Sequence, residues 1–206
     1  MSDRTAALLL DLDGTLVDSE QFHRQVFRNW FAARGWSLSD ELLTSFTERR
    51  ADDVLARTPG PWSGEDIAEM QSELLAEVAR LPRPELARGA SDLLRDARVP
   101  LALVTSANTQ WATKCLGTLL ARFDVVVTRD DVTLGKPHPE PYSLACRTLG
   151  VPAAACVAVE DAPAGVASAV AAGVGRVVGL AGTFDVDALA GAHVVVSSLV
   201  EVSGLL

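Results

Sequence analysis

The sequence predicts an α/β fold in which a doubly wound core is built on a parallel sheet and an α-helical unit is inserted near its start. Three observations predict it. Short continuous apolar runs each end in polar residues, helix-like segments alternate with those runs, and a long early stretch keeps helical periodicity without strands.

The first run, Ala6 to Leu10, ends at Asp11-Leu12-Asp13-Gly14-Thr15 and reads as a buried strand entering a polar loop. Val99 to Val104 ends at Thr105-Ser106-Ala107-Asn108. Phe123 to Val127 leads to Thr128-Arg129-Asp130-Asp131, and Ala155 to Val159 ends at Glu160-Asp161. Between them, helices are predicted at Thr109 to Leu120, at Glu140 to Leu149 before Gly150, and at Ala164 to Ala172 before Gly173. Runs at Arg176 to Leu180 and His193 to Val196 add edge strands, for about five or six in all.

The stretch from about Val17 to Leu81 carries apolar residues at helical spacing in Phe22, Val26, Phe27, Trp30 and Phe31, and again from Glu65 to Val78. Breaks at Gly35, Pro59-Gly60-Pro61 and Pro82-Arg83-Pro84 divide it and mark its return. The expected organisation is a core of residues 1–16 and 83–206 with a helical insertion over 17–82. The aromatics of the insertion read as core packing.

Composition narrows the function. The 206 residues are 49% hydrophobic and 22% charged, enough to bury a substantial core. No apolar run reaches the roughly 18 residues of a membrane helix. A net charge of −9 argues against a nucleic-acid or anionic-membrane surface, since phosphate backbones are gripped by clustered Lys and Arg. The start, Met-Ser-Asp-Arg-Thr, has no basic region or cleavage site of a signal peptide, so the expected location is cytoplasmic. Cys115, Cys146 and Cys156 are widely spaced in apolar stretches and read as buried thiols.

Asp11 and Asp13 stand two residues apart where a strand ends, so in extended geometry both face the same way while Leu12 points into the core. Converging carboxylates repel, and a divalent cation resolves the repulsion. One carboxylate can then act as nucleophile while the other shuttles a proton. Gly14 permits the tight turn. An ordinary turn is the competing explanation of this motif alone, as a helix N-cap at Asp161 is for Glu160-Asp161. Lys136, in Gly135-Lys136-Pro137-His138-Pro139, can neutralise phosphate oxygens or the nucleophile; a solvated loop lysine is the alternative. The Thr105 hydroxyl and the backbone amides after it, at Ser106 and Ala107, can bind a phosphoryl oxygen, while Ser106 or Asn108 can cap the next helix.

The ordered set Asp-Leu-Asp-Gly-Thr, Thr105, Gly-Lys136-Pro and Glu160-Asp161 resembles the four motifs of the haloacid dehalogenase superfamily. Its spacing is similar to the subgroup of β-phosphoglucomutase, phosphoglycolate phosphatase and sugar or polyol phosphatases, whose Rossmann-like core carries a helical cap. The resemblance implies Mg²⁺ held by Asp11, the main-chain carbonyl of Asp13 and Asp161, with Glu160 in direct or water-mediated support. It further implies Asp11 as the nucleophile of an aspartyl-phosphate mechanism, Asp13 as acid and base, and Thr105 and Lys136 as charge-balancing groups.

The substrate is then expected to be a small phosphorylated metabolite, read by the cap. His23 aligns with a histidine that many members carry after the first motif; a half-buried helix histidine is the equal alternative. Arg49 and Arg50 resemble the cap's specificity loop, although Glu48 stands where relatives often have Gly. His138 is expected to shape its loop. A phosphomutase needs the same Asp11 and Asp13 and is the closest rival to a phosphatase. A dehalogenase, which would not require Asp13 or the Glu160-Asp161 pair, and a silent binding protein, which would be expected to lose charged site residues, both rank lower. The expected assembly is a monomer or homodimer.

Overall fold

The computed structural model of the protein describes residues 5–48, 51–202 and 204. The chain divides into two compact units, Met1–Asp18 with Glu85–Leu206, and Ser19–Pro84.

The first unit is built on six parallel strands: β1 (Ala7–Leu10), β2 (Leu101–Val104), β3 (Val125–Val127), β4 (Cys156–Glu160), β5 (Arg176–Leu180) and β6 (Val194–Val196), in the order β3-β2-β1-β4-β5-β6. Strands β1, β2 and β4 are buried at every position, which is why β1, β2 and Cys156–Val159 of β4 appear as apolar runs, with the buried Glu160 ending the last. Alternation in β1 sends Leu8 and Leu10 into one core and Ala7 and Leu9 into the other.

The elements of the second unit follow β1 in the chain: α1 (Ser19–Ala33), α2 (Asp40–Glu48), α3 (Ala51–Arg57) and α4 (Ile67–Arg80). Its interior is aromatic. The Phe31 ring lies 5.7–6.0 Å from those of Trp36, Phe46 and Trp62. The polar tips of the indoles are paired, Trp30 Nε1 with Glu73 at 2.9 Å and Trp62 Nε1 with the Leu55 carbonyl at 3.0 Å.

In the α/β unit the sheet is covered on both faces. One core takes side chains from α5 (Ala90–Asp96), α6 (Thr109–Leu116) and α9 (Leu199–Val202). The other takes them from α7 (Glu140–Leu149) and α8 (Pro163–Ala171). The helix predicted as Thr109 to Leu120 is α-helical only to Leu116 and continues as a 3₁₀ segment from Gly117. Helices α5 and α9 are additional to the predicted set.

Residues 16–18 and 85–87 pair where the chain leaves and re-enters the α/β unit. The Asp18 N–H donates to the Glu85 carbonyl and the Ala87 N–H to that of Leu16, both at 2.9 Å. Cys115, Cys146 and Cys156 are buried and free. Among the described residues no helix is long and apolar enough to cross a membrane.

Candidate active site

Strand register assembles the site. Leu10 of β1 pairs with Leu103 of β2 and with Val159 of β4, so the residues that follow all emerge at one edge of the sheet. The Asp11 N–H still donates to the Val159 carbonyl at 3.1 Å, and the Thr105 N–H to that of Val127 at 2.9 Å. Chain order reverses at β1, with β2 on one side and β4 on the other, and ligand crevices of doubly wound sheets open at such a point.

Three buried carboxylates meet there. Asp11, Glu160 and Asp161 each offer an oxygen, and these lie within 4.8 Å of one another. Lys136 reaches them from the loop before α7. Its Nζ donates to Asp11 Oδ1 at 2.6 Å and to the Val104 carbonyl at 2.8 Å, and lies 2.5 Å from Glu160 Oε1. All three ammonium protons have acceptors, so Lys136 is a buried counter-ion and not a solvated loop residue. The loop is itself held: Ser168 Oγ donates to the His138 carbonyl at 2.6 Å, and His138 Nδ1 accepts from the Glu140 N–H at 3.2 Å.

Asp13 lies in the tight turn after β1. The N–H groups of Leu16 and Val17 donate to the Leu12 carbonyl at 2.8 and 3.0 Å. Its half-buried carboxylate stands outside the cluster of three, and Oδ1 accepts from Trp111 Nε1 at 2.8 Å. Gly14 has φ +77°, and a Cβ there would strike the Asp161 carboxylate and the Thr183 hydroxyl. Close approach therefore demands glycine at this position.

Thr105 is buried and its Oγ1 accepts from the Ala107 N–H at 3.0 Å, so a phosphoryl oxygen using that amide must displace this bond. Ser106 is exposed. Asn108 caps α6 by accepting from the Trp111 main-chain N–H at 2.8 Å. The residue preceding α8 is Ala162, with no side-chain cap, which removes the capping explanation of Asp161. Asp131 accepts from the Thr128 N–H and hydroxyl, and Asp130 from the Thr109 N–H, so both fix the loop after β3. His23 lies half-buried on α1, its pKa lowered by burial. Arg49 and Arg50 fall outside the described residues.

The electrostatics of the cluster are unbalanced. Burial, then the charge of Asp11, pushes the Glu160 carboxyl up to about 8 against the opposing pull of Lys136 and Tyr142. Burial and Asp11 likewise push Asp161 up to about 7, with the Thr183 hydroxyl opposing. Asp11 is raised by burial despite Lys136. Lys136 is desolvated too, but Asp11 and Glu160 outweigh that and hold its ammonium charged. Among the described residues, three buried carboxylates face the ammonium of Lys136 and leave surplus negative charge, which is costly away from water. A hard divalent cation with oxygen ligands is the group this donor set fits.

Sequence reasoning passed over three residues at this site. The Tyr142 hydroxyl donates to Glu160 Oε1 at 2.5 Å, and its ring faces Lys136 Nζ at 5.4 Å from the centroid. Trp111 holds Asp13. A Cβ at Gly165 would run into the Glu160 carboxylate.

The family model for haloacid dehalogenase-like hydrolases matches residues 5–173, a span that contains every residue of the cluster. The chain belongs to that family. This hydrolase is 40% identical over 201 residues to validoxylamine A 7′-phosphate phosphatase of Streptomyces hygroscopicus subsp. limoneus, covering 94% of each chain. It is 36% identical to hexitol phosphatase A of Escherichia coli over 82% of this chain and 81% of that one. Among solved structures, CbbY from Rhodobacter sphaeroides in complex with phosphate superposes with a TM-score of 0.78 at 29% identity, covering 96% of both chains. With relatives named as phosphatases, this hydrolase is an enzyme of the phosphoric monoester class.

Proposed function

We propose that this hydrolase is a Mg²⁺-dependent phosphatase that releases phosphate from a small sugar or polyol phosphomonoester through an aspartyl phosphate on Asp11. The observation that carries the reading is the buried cluster of Asp11, Glu160 and Asp161 facing the single ammonium of Lys136 at the sheet's switch point. Asp11, Asp161 and the main-chain carbonyl of Asp13 would hold Mg²⁺, with Glu160 beside them directly or through water. When bound, the ion offsets the repulsion between these carboxylates and an incoming phosphate.

The residues divide the remaining work. Asp11 attacks phosphorus in line as the bond to the substrate oxygen breaks, and Asp13 gives its proton to the departing alkoxide. Asp13 then takes a proton from water, whose oxygen bonds to phosphorus as the bond to Asp11 breaks and the free carboxylate returns. Lys136 holds Asp11 Oδ1 and, with the Thr105 hydroxyl and the amides of Ser106 and Ala107, meets charge on the phosphoryl oxygens. Gly14 gives the backbone room to approach. Residues 17–82 act as a cap that reads the rest of the substrate, with His23, Arg49 and Arg50 as its candidate contacts. The relatives named for validoxylamine A 7′-phosphate and for hexitols support a polyhydroxylated substrate.

The test is phosphate release from validoxylamine A 7′-phosphate, hexitol phosphates and β-glucose 1-phosphate, with Mg²⁺ or chelator, by the native chain and Asp11→Asn. Release that requires both Mg²⁺ and Asp11 supports the proposal. Conversion of β-glucose 1-phosphate to glucose 6-phosphate without release replaces it with a phosphomutase.

A further inference from the structure

We infer that Trp111 is a positioning residue for the acid–base step, holding the carboxylate of Asp13 through its indole N–H. The inference rests on the proposed role of Asp13. The Trp111 indole Nε1–H donates to Asp13 Oδ1 at 2.8 Å. An indole nitrogen is a donor only, so it can neither take the proton from Asp13 nor accept one from it. Its contribution is to hold the carboxylate at Oδ1.

Geometry makes this a device and not an incidental contact. The Asp13 backbone is fixed by the turn that closes on the Leu12 carbonyl, and the indole N–H holds one oxygen of its half-buried carboxylate. Trp111 is itself held in place. Its main-chain N–H donates to Asn108 Oδ1 at 2.8 Å, its ring packs against the apolar core, and the start of α6 is pinned by the Thr109 N–H donating to Asp130 Oδ2 at 2.9 Å. The two hydrogen-bonded groups are 98 residues apart in sequence and meet because β1 and β2 are neighbours. Proton transfer is sensitive to the placement of the donor oxygen, so loss of this bond falls on the step that uses the proton.

The experiment compares esters that differ in their need for that proton. p-Nitrophenolate departs without protonation, whereas a benzyl alkoxide requires it. The ratio of kcat/KM for p-nitrophenyl phosphate and benzyl phosphate, which reports the step that phosphorylates Asp11, is measured with Mg²⁺ for the native chain, Trp111→Phe and Asp13→Asn. A further variant carries benzothienylalanine at position 111, which keeps the ring shape and replaces N–H by sulfur. The expected result is a loss on benzyl phosphate that exceeds the loss on p-nitrophenyl phosphate by about tenfold in both position-111 variants, and by more in Asp13→Asn. Equal losses on the two esters at position 111, with selective loss in Asp13→Asn, overturn the inference alone. Equal losses in Asp13→Asn overturn the acid role of Asp13 and the inference with it.

Discussion

Replacing Asp161 with Asn is expected to stabilise the metal-free protein at alkaline pH while destroying its response to Mg²⁺. In the unfolded chain Asp161 has lost its proton above about pH 4, but in the folded chain burial holds the proton until about pH 7. Across that window the folded state binds more protons than the unfolded one, so stability falls as pH rises and the full cost is present above it. A shift from 3.8 to about 7 corresponds to on the order of 4 kcal/mol for this one group. Asn has no proton to lose and escapes the cost. At roughly 2–4 °C per kcal/mol for a chain of this size, the metal-free variant should melt about 8–16 °C above the native protein near pH 8.5 and by less than half of that near pH 5. Addition of Mg²⁺ should reverse the order at the higher pH, since the native protein alone keeps the ligand. The assay is thermal melting in chelator and in Mg²⁺ at both pH values, where the contribution of His23 is common to both proteins and cancels. A variant that melts at or below the native protein in chelator near pH 8.5 refutes the charge-surplus argument.

Lys136→Met leaves Asp11 and Glu160 without their shared cation, and should lower kcat/KM by about 10²-fold or more in phosphate release. It should also cost about 3–5 kcal/mol in urea unfolding with chelator present. Gly165→Ala drives a methyl group toward the Glu160 carboxylate and should destabilise by about 1–3 kcal/mol, with weaker Mg²⁺ binding in calorimetry. Tyr142→Phe removes a donor that favours ionised Glu160, so the metal-free melting temperature should fall, by an amount equivalent to about 1–2 kcal/mol and more at high pH than at low.

The parts of the fold and site that could be read in the sequence share one physical cause, and the parts that could not share another. Strands β1, β2 and β4 are covered on both faces, which keeps their positions apolar up to the strand end and makes the polar residue that ends each run conspicuous. Asp11, Thr105 and Glu160 announce themselves that way. Helices α5 and α9, of seven and four residues, are too short to display a period. Trp111, Tyr142 and Gly165 were obscured because an aromatic or small residue on a helix normally signals packing.

Yet these three occupy the same place. Each is the third residue of its helix, after the caps Asn108, Pro139 and Ala162 of α6, α7 and α8. Side chains on a helix lean toward its N-terminus, and in a doubly wound fold that end faces the carboxyl edge of the sheet. The third position of a helix that follows a strand therefore points back at whatever the strand ends deliver. Here it delivers an indole to Asp13, a phenol to Glu160, and at Gly165 the absence of a side chain that gives Glu160 its space. Seen this way, the strand ends supply the carboxylates and the helix starts that follow them decide how those carboxylates are oriented.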